Sequence, residues 1–484
     1  MNEDRLGGSF FPASNVIITG GSFNSHVYTG GETGMNPCHF SPLAILREEW
    51  HQLGGYKRLL DAVAPNALHD SGHIFDPPRC HPGTRIKIIQ TIIDWSAGAD
   101  DDTRTKSVNW LTGPAGGGKS AIGRTVCERC AKEGTLLASF FFGSRDATRN
   151  HSKALISTIA YQISAIDASI RNAVSKFIDN DPHIFSKSLR TQFVSLVMEP
   201  LLSFYANRSQ TLPCLIVIDG LDECIDPSGQ RDILETITYL ITAYPHSPIR
   251  FLVCSRPEAN IKNVIHGVDM SPMVCTIFLG KDDKDIENYL RAKFKAIREG
   301  HIFKSSIPAW WPSHYHINYL VEKSSGLFIY ASTVIGYIQS PEDMPHQRLE
   351  VILGIQPAVE NPFAELDALY MHILTTTKDS PKAARMLAFL AMYPSTCVPV
   401  IARYLQLEDE EVEIMCSKLA AILGSQRHGN DVIYSRFKLL HKSFEDFLFN
   451  QSRSKELYIS LPDALAANII RSIQIFSGKP FLNS

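Results

Sequence analysis

Gly113-Pro-Ala-Gly-Gly-Gly-Lys119-Ser120 decides the reading of this chain. It satisfies the pattern G-x-x-x-x-G-K-[ST] in full, and each position has a physical reason. Gly113, Pro114, Ala115, Gly116, Gly117 and Gly118 make a loop whose small side chains let successive backbone N–H groups turn inward around phosphate oxygens. Lys119 is placed to reach the outer phosphates, and the Ser120 hydroxyl to ligate Mg²⁺. Ala121 lies in the first turn of an expected helix from Lys119 to Lys132, whose positive end faces the anion. An apolar run, Val108–Thr112, precedes the loop. Strand, glycine loop and helix in that order imply a bound nucleoside triphosphate, ATP or GTP, with Mg²⁺.

Further apolar runs lie at Leu136–Phe142, Cys214–Asp219, Ile249–Ser255 and Val274–Leu279. Helical patterns at Lys153–Ile166, Leu189–Tyr205 and Arg231–Tyr244 separate them. Wholly apolar strands alternating with helices imply a parallel sheet covered on both faces. After Gly280 the pattern is helical: Asp282–Ile297, Ile317–Ser324, Phe328–Ile338, Phe363–Thr377, Pro381–Tyr393 and Glu408–Leu423. A short β-like pair, Leu423–Ser425 and Val432–Phe437, then precedes a helix over Lys438–Phe449, which reads as a winged-helix module. The expected fold class is therefore α/β: a three-layer P-loop NTPase domain on a mainly parallel five-stranded sheet, then an α-helical domain and a winged-helix domain.

Two more strand ends carry chemistry. Leu215-Ile-Val-Ile-Asp219-Gly-Leu-Asp222-Glu223 is an apolar run ending in acids. Asp219 is placed to hold Mg²⁺ through water, and Asp222 or Glu223 to polarise an attacking water. Phe251-Leu-Val-Cys-Ser255-Arg256-Pro257 ends in a cation. If its strand lies between the other two, Arg256 faces the terminal phosphate.

Composition excludes several classes. With 484 residues, 44% hydrophobic and 20% charged, the chain fits about three soluble domains. A net charge of -3 gives no electrostatic footprint for nucleic acid. No leader pattern and no membrane-length apolar run is visible, so an intracellular, cytoplasmic protein is expected. The ten cysteines are scattered. Cys127 and Cys130 form a CxxC without a second ligand pair, and with Ile122 and Val126 they continue one helical stripe, so core packing is expected. Cys80 and His81 also lack matching ligands. Residues 1–45 read as a Gly- and Ser-rich flexible arm, or as a β-forming self-assembly segment through Val16, Ile17, Ile18, Phe23 and Val27.

The three strand ends together resemble the NACHT class of STAND signal-transduction ATPases, relatives of NOD-like receptors, and in particular the large fungal group. IVIDGLDE is similar to its Walker B, FLVCSRPE to its sensor 1, and FFFGSRDATRN (140–150) to the strand and loop after the P-loop helix. FDPPRCHPGTR (75–85) is similar to the segment leading into the nucleotide pocket. LLHKSFEDFL (439–448) is similar to the winged-helix motif. By itself His441 reads as a histidine packed between Leu440 and Phe444; the resemblance implies a contact with bound diphosphate. Ser325-Gly326-Leu327-Phe328 stands where plant and apoptotic relatives carry Gly-Leu-Pro, so Phe328 replaces a proline that touches adenine. No sensory repeat array is present within these residues.

The resemblance implies a switch in innate-immune-type signal transduction. ADP holds the winged-helix module on the NTPase core, exchange for ATP frees it, and the open form self-oligomerises toward a protein effector that the sequence does not name. The domains expected are a lead-in at 46–106, the NTPase domain at 107–280, helical and winged-helix modules at 281–350 and 351–450, and the start of a further helical region at 451–484, where the chain stops as if cut short. A metabolic P-loop kinase, or a nucleotide-binding scaffold without hydrolysis, are the alternatives.

Overall fold

The computed structural model describes residues 54–72, 77–206, 214–357, 363–426 and 435–477, the side chains of 472–477 excepted. The chain divides between Glu49 and Trp50. Everything before residue 54 lies outside the described residues, including the arm, the self-assembly segment and the start of the lead-in. Phe75 and Asp76 of the lead-in and the first residues of the Val432–Phe437 run also lie outside them.

Helix α1 spans residues 54–62 and α2 is Ile86–Ala97. The strands β1 (Val108–Thr112), β2 (Leu136–Phe141), β3 (Leu215–Asp219), β4 (Arg250–Ser255) and β5 (Val274–Phe278) form one sheet in the order β2-β3-β4-β1-β5. Every pairing in it is parallel. The central strands are buried on both faces, as their unbroken apolar sequences require.

Alternate residues serve opposite layers. Ile216 and Ile218 of β3 join one core with α4 (Leu155–Ser164), α5 (Ala168–Asn180), α6 (Leu189–Phe193), α7 (Glu199–Tyr205) and α8 (Pro227–Ala243). Leu215 and Val217 join the other with α2 and α3 (Lys119–Lys132). Each such fully buried side chain contributes roughly 1.5–3 kcal/mol. A π-helical segment, Val194–Met198, joins α6 to α7 where one continuous helix was expected. Cys127 and Cys130 sit in the α2/α3 core beside Ile122 and Val126. All the described cysteines are free.

A single apolar core organises the rest of the described chain. It gathers α10 (Asp283–Gly300), α11 (His314–Ser324), α12 (Phe328–Ile338), α13 (Pro345–Gly354), α14 (Ala364–Thr375) and α15 (Ser380–Met392), preceded in the chain by the short α9 (Ala259–Ile265). A second sheet, ordered β6-β8-β7, is antiparallel: β6 (Thr396–Cys397), β7 (Leu423–Gln426) and β8 (Arg436–Leu439). Between β6 and β7 lie α16 (Val398–Leu405) and α17 (Asp409–Lys418). The helix expected over Lys438–Phe449 is shorter, α18 (Lys442–Leu448), because Lys438 and Leu439 pair with Gly424 and Leu423 in the sheet. Then come α19 (Gln451–Ser454) and α20 (Leu461–Ser477). Among the described residues, no helix is long and apolar enough to cross a membrane.

Candidate nucleotide site

Register brings the strand ends together. Thr112 pairs with Ser255, Cys254 with Asp219, and Asp219 with Phe141. The loops after β1, β2, β3 and β4 therefore leave one edge of the sheet side by side, at the carboxyl ends where ligands of such sheets bind. There they enclose a cavity of roughly 1010 Å³.

The glycine loop forms its floor. Gly116 and Gly118 have φ of +73° and +92°, values that favour glycine. Lys119 Nζ donates to the carbonyls of Gly113 and Pro114, both at 2.9 Å. Burial lowers the Lys119 pKa, with Asp222 opposing. Two remaining carbonyls are braced from outside: the Ile329 amide of α12 donates to Gly116 O (3.3 Å) and Arg85 Nη2 to Gly117 O (3.4 Å). A Cβ on Gly116 would lie 2.1 Å from Ile329 Cγ2, so α12 rests directly on the loop.

Asp219 ends β3 with 3% exposure. Burial pushes its carboxyl up to about 6 against a hydrogen bond with Ser120 that lowers it. Its Oδ1 is buried without a hydrogen-bond partner. An orphaned carboxylate oxygen beside a serine hydroxyl fits a hydrated Mg²⁺, which would take up the charge that burial penalises. Among the described residues, no protein-only cluster of His, Cys, Asp and Glu could hold a metal by itself.

Asp222, Glu223, Arg256 and His441 line the same cavity. Asp222 accepts from the Arg256 amide (Oδ1, 3.0 Å) and pairs with Arg256 Nε (Oδ2, 3.2 Å). Glu223 accepts from the Ser144 amide at 3.1 Å. Arg256 does follow a strand lying between β1 and β3, and its Nη1 reaches Asp446 of α18 at 2.8 Å. Ser255 turns the other way, into the core, where Trp110 Nε1 donates to its hydroxyl at 2.8 Å. His441 precedes α18 at the cavity wall, and burial with the Arg145 charge beside it pushes its pKa down to about 4, so its imidazole is neutral at pH 7.

Five contributors carry no individual role in the sequence reading. Arg145, in the loop after β2, ion-pairs with Glu445 of α18 and donates to Leu439 O at 3.4 Å. Arg85 is buried and spans from the glycine loop to Asp282 of the loop before α10, its guanidinium 4.9 Å from the Phe328 ring centre. Tyr289 packs edge-on against Phe328 at 6.0 Å and against His81 at 5.5 Å, giving the cavity an aromatic end. Glu445 and Asp446 sit in the quoted LLHKSFEDFL stretch, where their spacing from His441 by about one helical turn is the one signal that places all three near one wall.

A glycine loop, a buried strand-end aspartate and a parallel sheet converging on one cavity define a nucleotide-binding P-loop NTPase. Residues 88–256 match the family model described as Nephrocystin 3, N-terminal. No curated protein matches the chain. Among solved structures, a Walker-type ATPase of Pyrococcus abyssi overlaps at 15% identity and TM-score 0.35, covering 76% of this chain and 97% of that one. The Aeropyrum pernix ORC2 protein, solved in ADPNP and ADP complexes, overlaps at 11% identity and TM-score 0.38, covering 83% and 98%. Drosophila ORC bound to DNA gives 12% and 0.32, covering 81% and 96%. Overlaps this loose carry nothing about what this chain does.

Proposed function

We propose that the chain is a nucleotide-dependent switch of the NACHT, NOD-like receptor type. It binds ATP, or GTP, with Mg²⁺, hydrolyses it slowly, and changes the contact between its NTPase core (107–280) and the C-terminal modules (281–350 and a winged-helix-like 351–450). The observation that carries this reading is the position of Arg256, held between Asp222 of the core and Asp446 of α18. A phosphate entering beside Arg256 meets the core and the C-terminal module at once.

The roles follow from the geometry. Residues 113–121 wrap the phosphates, Lys119 leaving its two loop carbonyls for the outer ones. Ser120 and Asp219 hold Mg²⁺, which polarises the terminal phosphate when bound. Glu223 orients water, and Asp222 fixes Arg256. His441 offers one neutral N–H toward the diphosphate. The aromatic end at Tyr289 and Phe328 suits a base. Opening exposes surface for self-association and for a protein effector. An ordinary kinase leaves the tie between Arg256 and α18 without a purpose.

Sedimentation and limited proteolysis of the full chain with ADP and with a non-hydrolysable triphosphate test this. The expected result is a larger or more protease-sensitive species with triphosphate only, absent in Lys119→Ala. Identical behaviour in both nucleotides sinks the switch.

A further inference from the structure

The nucleotide states differ by one anionic group, and the cations able to sense it already have anionic partners. Arg145 follows β2, the acids Asp222 and Glu223 follow β3, and Arg256 follows β4, three neighbouring strands. Each arginine pairs with α18: Arg145 with Glu445 and Arg256 with Asp446, consecutive residues. The Arg145 and Glu445 side chains are only 17% and 13% exposed. Two arginines from separate loops thus meet adjacent acids on one helix.

We propose that Glu445 and Asp446 compete internally with the terminal phosphate, holding Arg145 and Arg256 in the empty or diphosphate state and giving them up to a triphosphate. The proposal rests on the switch reading above and names the residues that set its choice between di- and triphosphate.

Three features support it. First, Arg256 is anchored on Asp222 through its amide and Nε, so that exchanging Asp446 for phosphate changes only the Nη1 partner and leaves the arginine in place. Second, the charges share one field: Arg256 bears on the titration of Lys119, and Glu223 and Asp446 bear on Arg145, whose pKa burial lowers to about 10. A partly buried guanidinium released from one anion must find another, because leaving it unpaired is costly. Third, α18 is short and fixed to the C-terminal core by Phe444, Phe447 and Leu448. Loss of both ion pairs therefore frees the helix from the NTPase side without unfolding its own base.

The test uses the full chain, with fluorescent ADP and a fluorescent non-hydrolysable triphosphate titrated in Mg²⁺. The variant Glu445→Gln/Asp446→Asn keeps shape and removes both charges. It is expected to raise the triphosphate-to-diphosphate affinity ratio about tenfold. Adding Arg145→Ala should reverse part of that gain. An unchanged ratio, or equal tightening of both nucleotides, overturns the proposal and leaves the switch reading standing. Failure of the wild-type chain to bind either nucleotide, or binding by Lys119→Ala at wild-type strength, sinks the switch reading instead. Hydrogen exchange of residues 442–448 in the wild-type chain is independent of how the variant folds. Faster exchange with triphosphate than with diphosphate is expected, and equal exchange overturns the proposal.

Discussion

The two walls of the cavity are made in different ways. On the NTPase side, consecutive residues do the work: eight from Gly113 to Ser120 bend around one point, and Asp219 to Glu223 leave the next strand but one. On the C-terminal side, His441 lines the cavity just before a seven-residue helix, and Glu445 and Asp446 of that helix pair with the cavity's Arg145 and Arg256 while its Phe444, Phe447 and Leu448 are buried in a different core. The first wall is local chemistry on a rigid sheet edge. The second is a contact between two cores, held by ion pairs, and such contacts can be exchanged for a ligand of the same charge.

Breaking the first wall has the largest effect. Lys119→Ala should weaken nucleotide binding by about a hundredfold or more, since it deletes a charge-assisted phosphate contact. Because Lys119 bonds only within its own loop, thermal melting of the empty protein should hardly move. Calorimetric titration and a melt together check this.

Asp219→Asn separates binding from stability. The carboxyl is raised from 3.8 to about 6, so its ionised form is disfavoured in the fold. A carboxylate of raised pKa stabilises the fold below its unfolded value and loses that contribution as pH climbs through the folded one. The empty wild-type chain should thus lose stability relative to Asp219→Asn between about pH 4 and pH 6, reaching about 2–3 kcal/mol at pH 7. The same proton weakens Mg²⁺-dependent nucleotide binding by the wild type below about pH 6, and in the variant Mg²⁺ should strengthen binding less than in the wild type, without that change near pH 6. Melts across pH and titrations with and without Mg²⁺ decide both points.

Gly116→Ala tests the seam between the walls. At φ +73° with Ile329 2.1 Å from the new Cβ, the change must push α12 off the loop. A loss of about 1–3 kcal/mol is expected, with protease sensitivity rising around residue 328. A cleavage pattern like the wild type's would mean that α12 does not brace the loop.

Arg58→Ala sharpens the comparison from the other end. Neither Arg58 nor its partner Asp179 lines the cavity, and the arginine side chain is 43% exposed. Removing it should cost about 0.5 kcal/mol and leave nucleotide affinity unchanged.

The sequence alone determined whatever depends on neighbours along the chain. The glycine loop, its flanking strand and helix, the five apolar runs and the acids after β3 were all legible, because backbone conformation and burial periodicity are written within about ten residues. The parallel sheet followed, since strands apolar on both faces leave no other way to be covered. The sequence also put Lys438 and Leu439 at the start of a helix over Lys438–Phe449, and only pairing with Gly424 and Leu423 made them a strand. What tertiary structure decided was partnership. Which acid neutralises Arg256, that Arg145 matters at all, that Ser255 faces Trp110 and not the cavity, and that Ile329 rests on Gly116 depend on groups brought together from distant parts of the chain. Charge and shape complementarity across such distances leave no periodicity to read, so the chemistry of the first wall was visible in advance and that of the second was not.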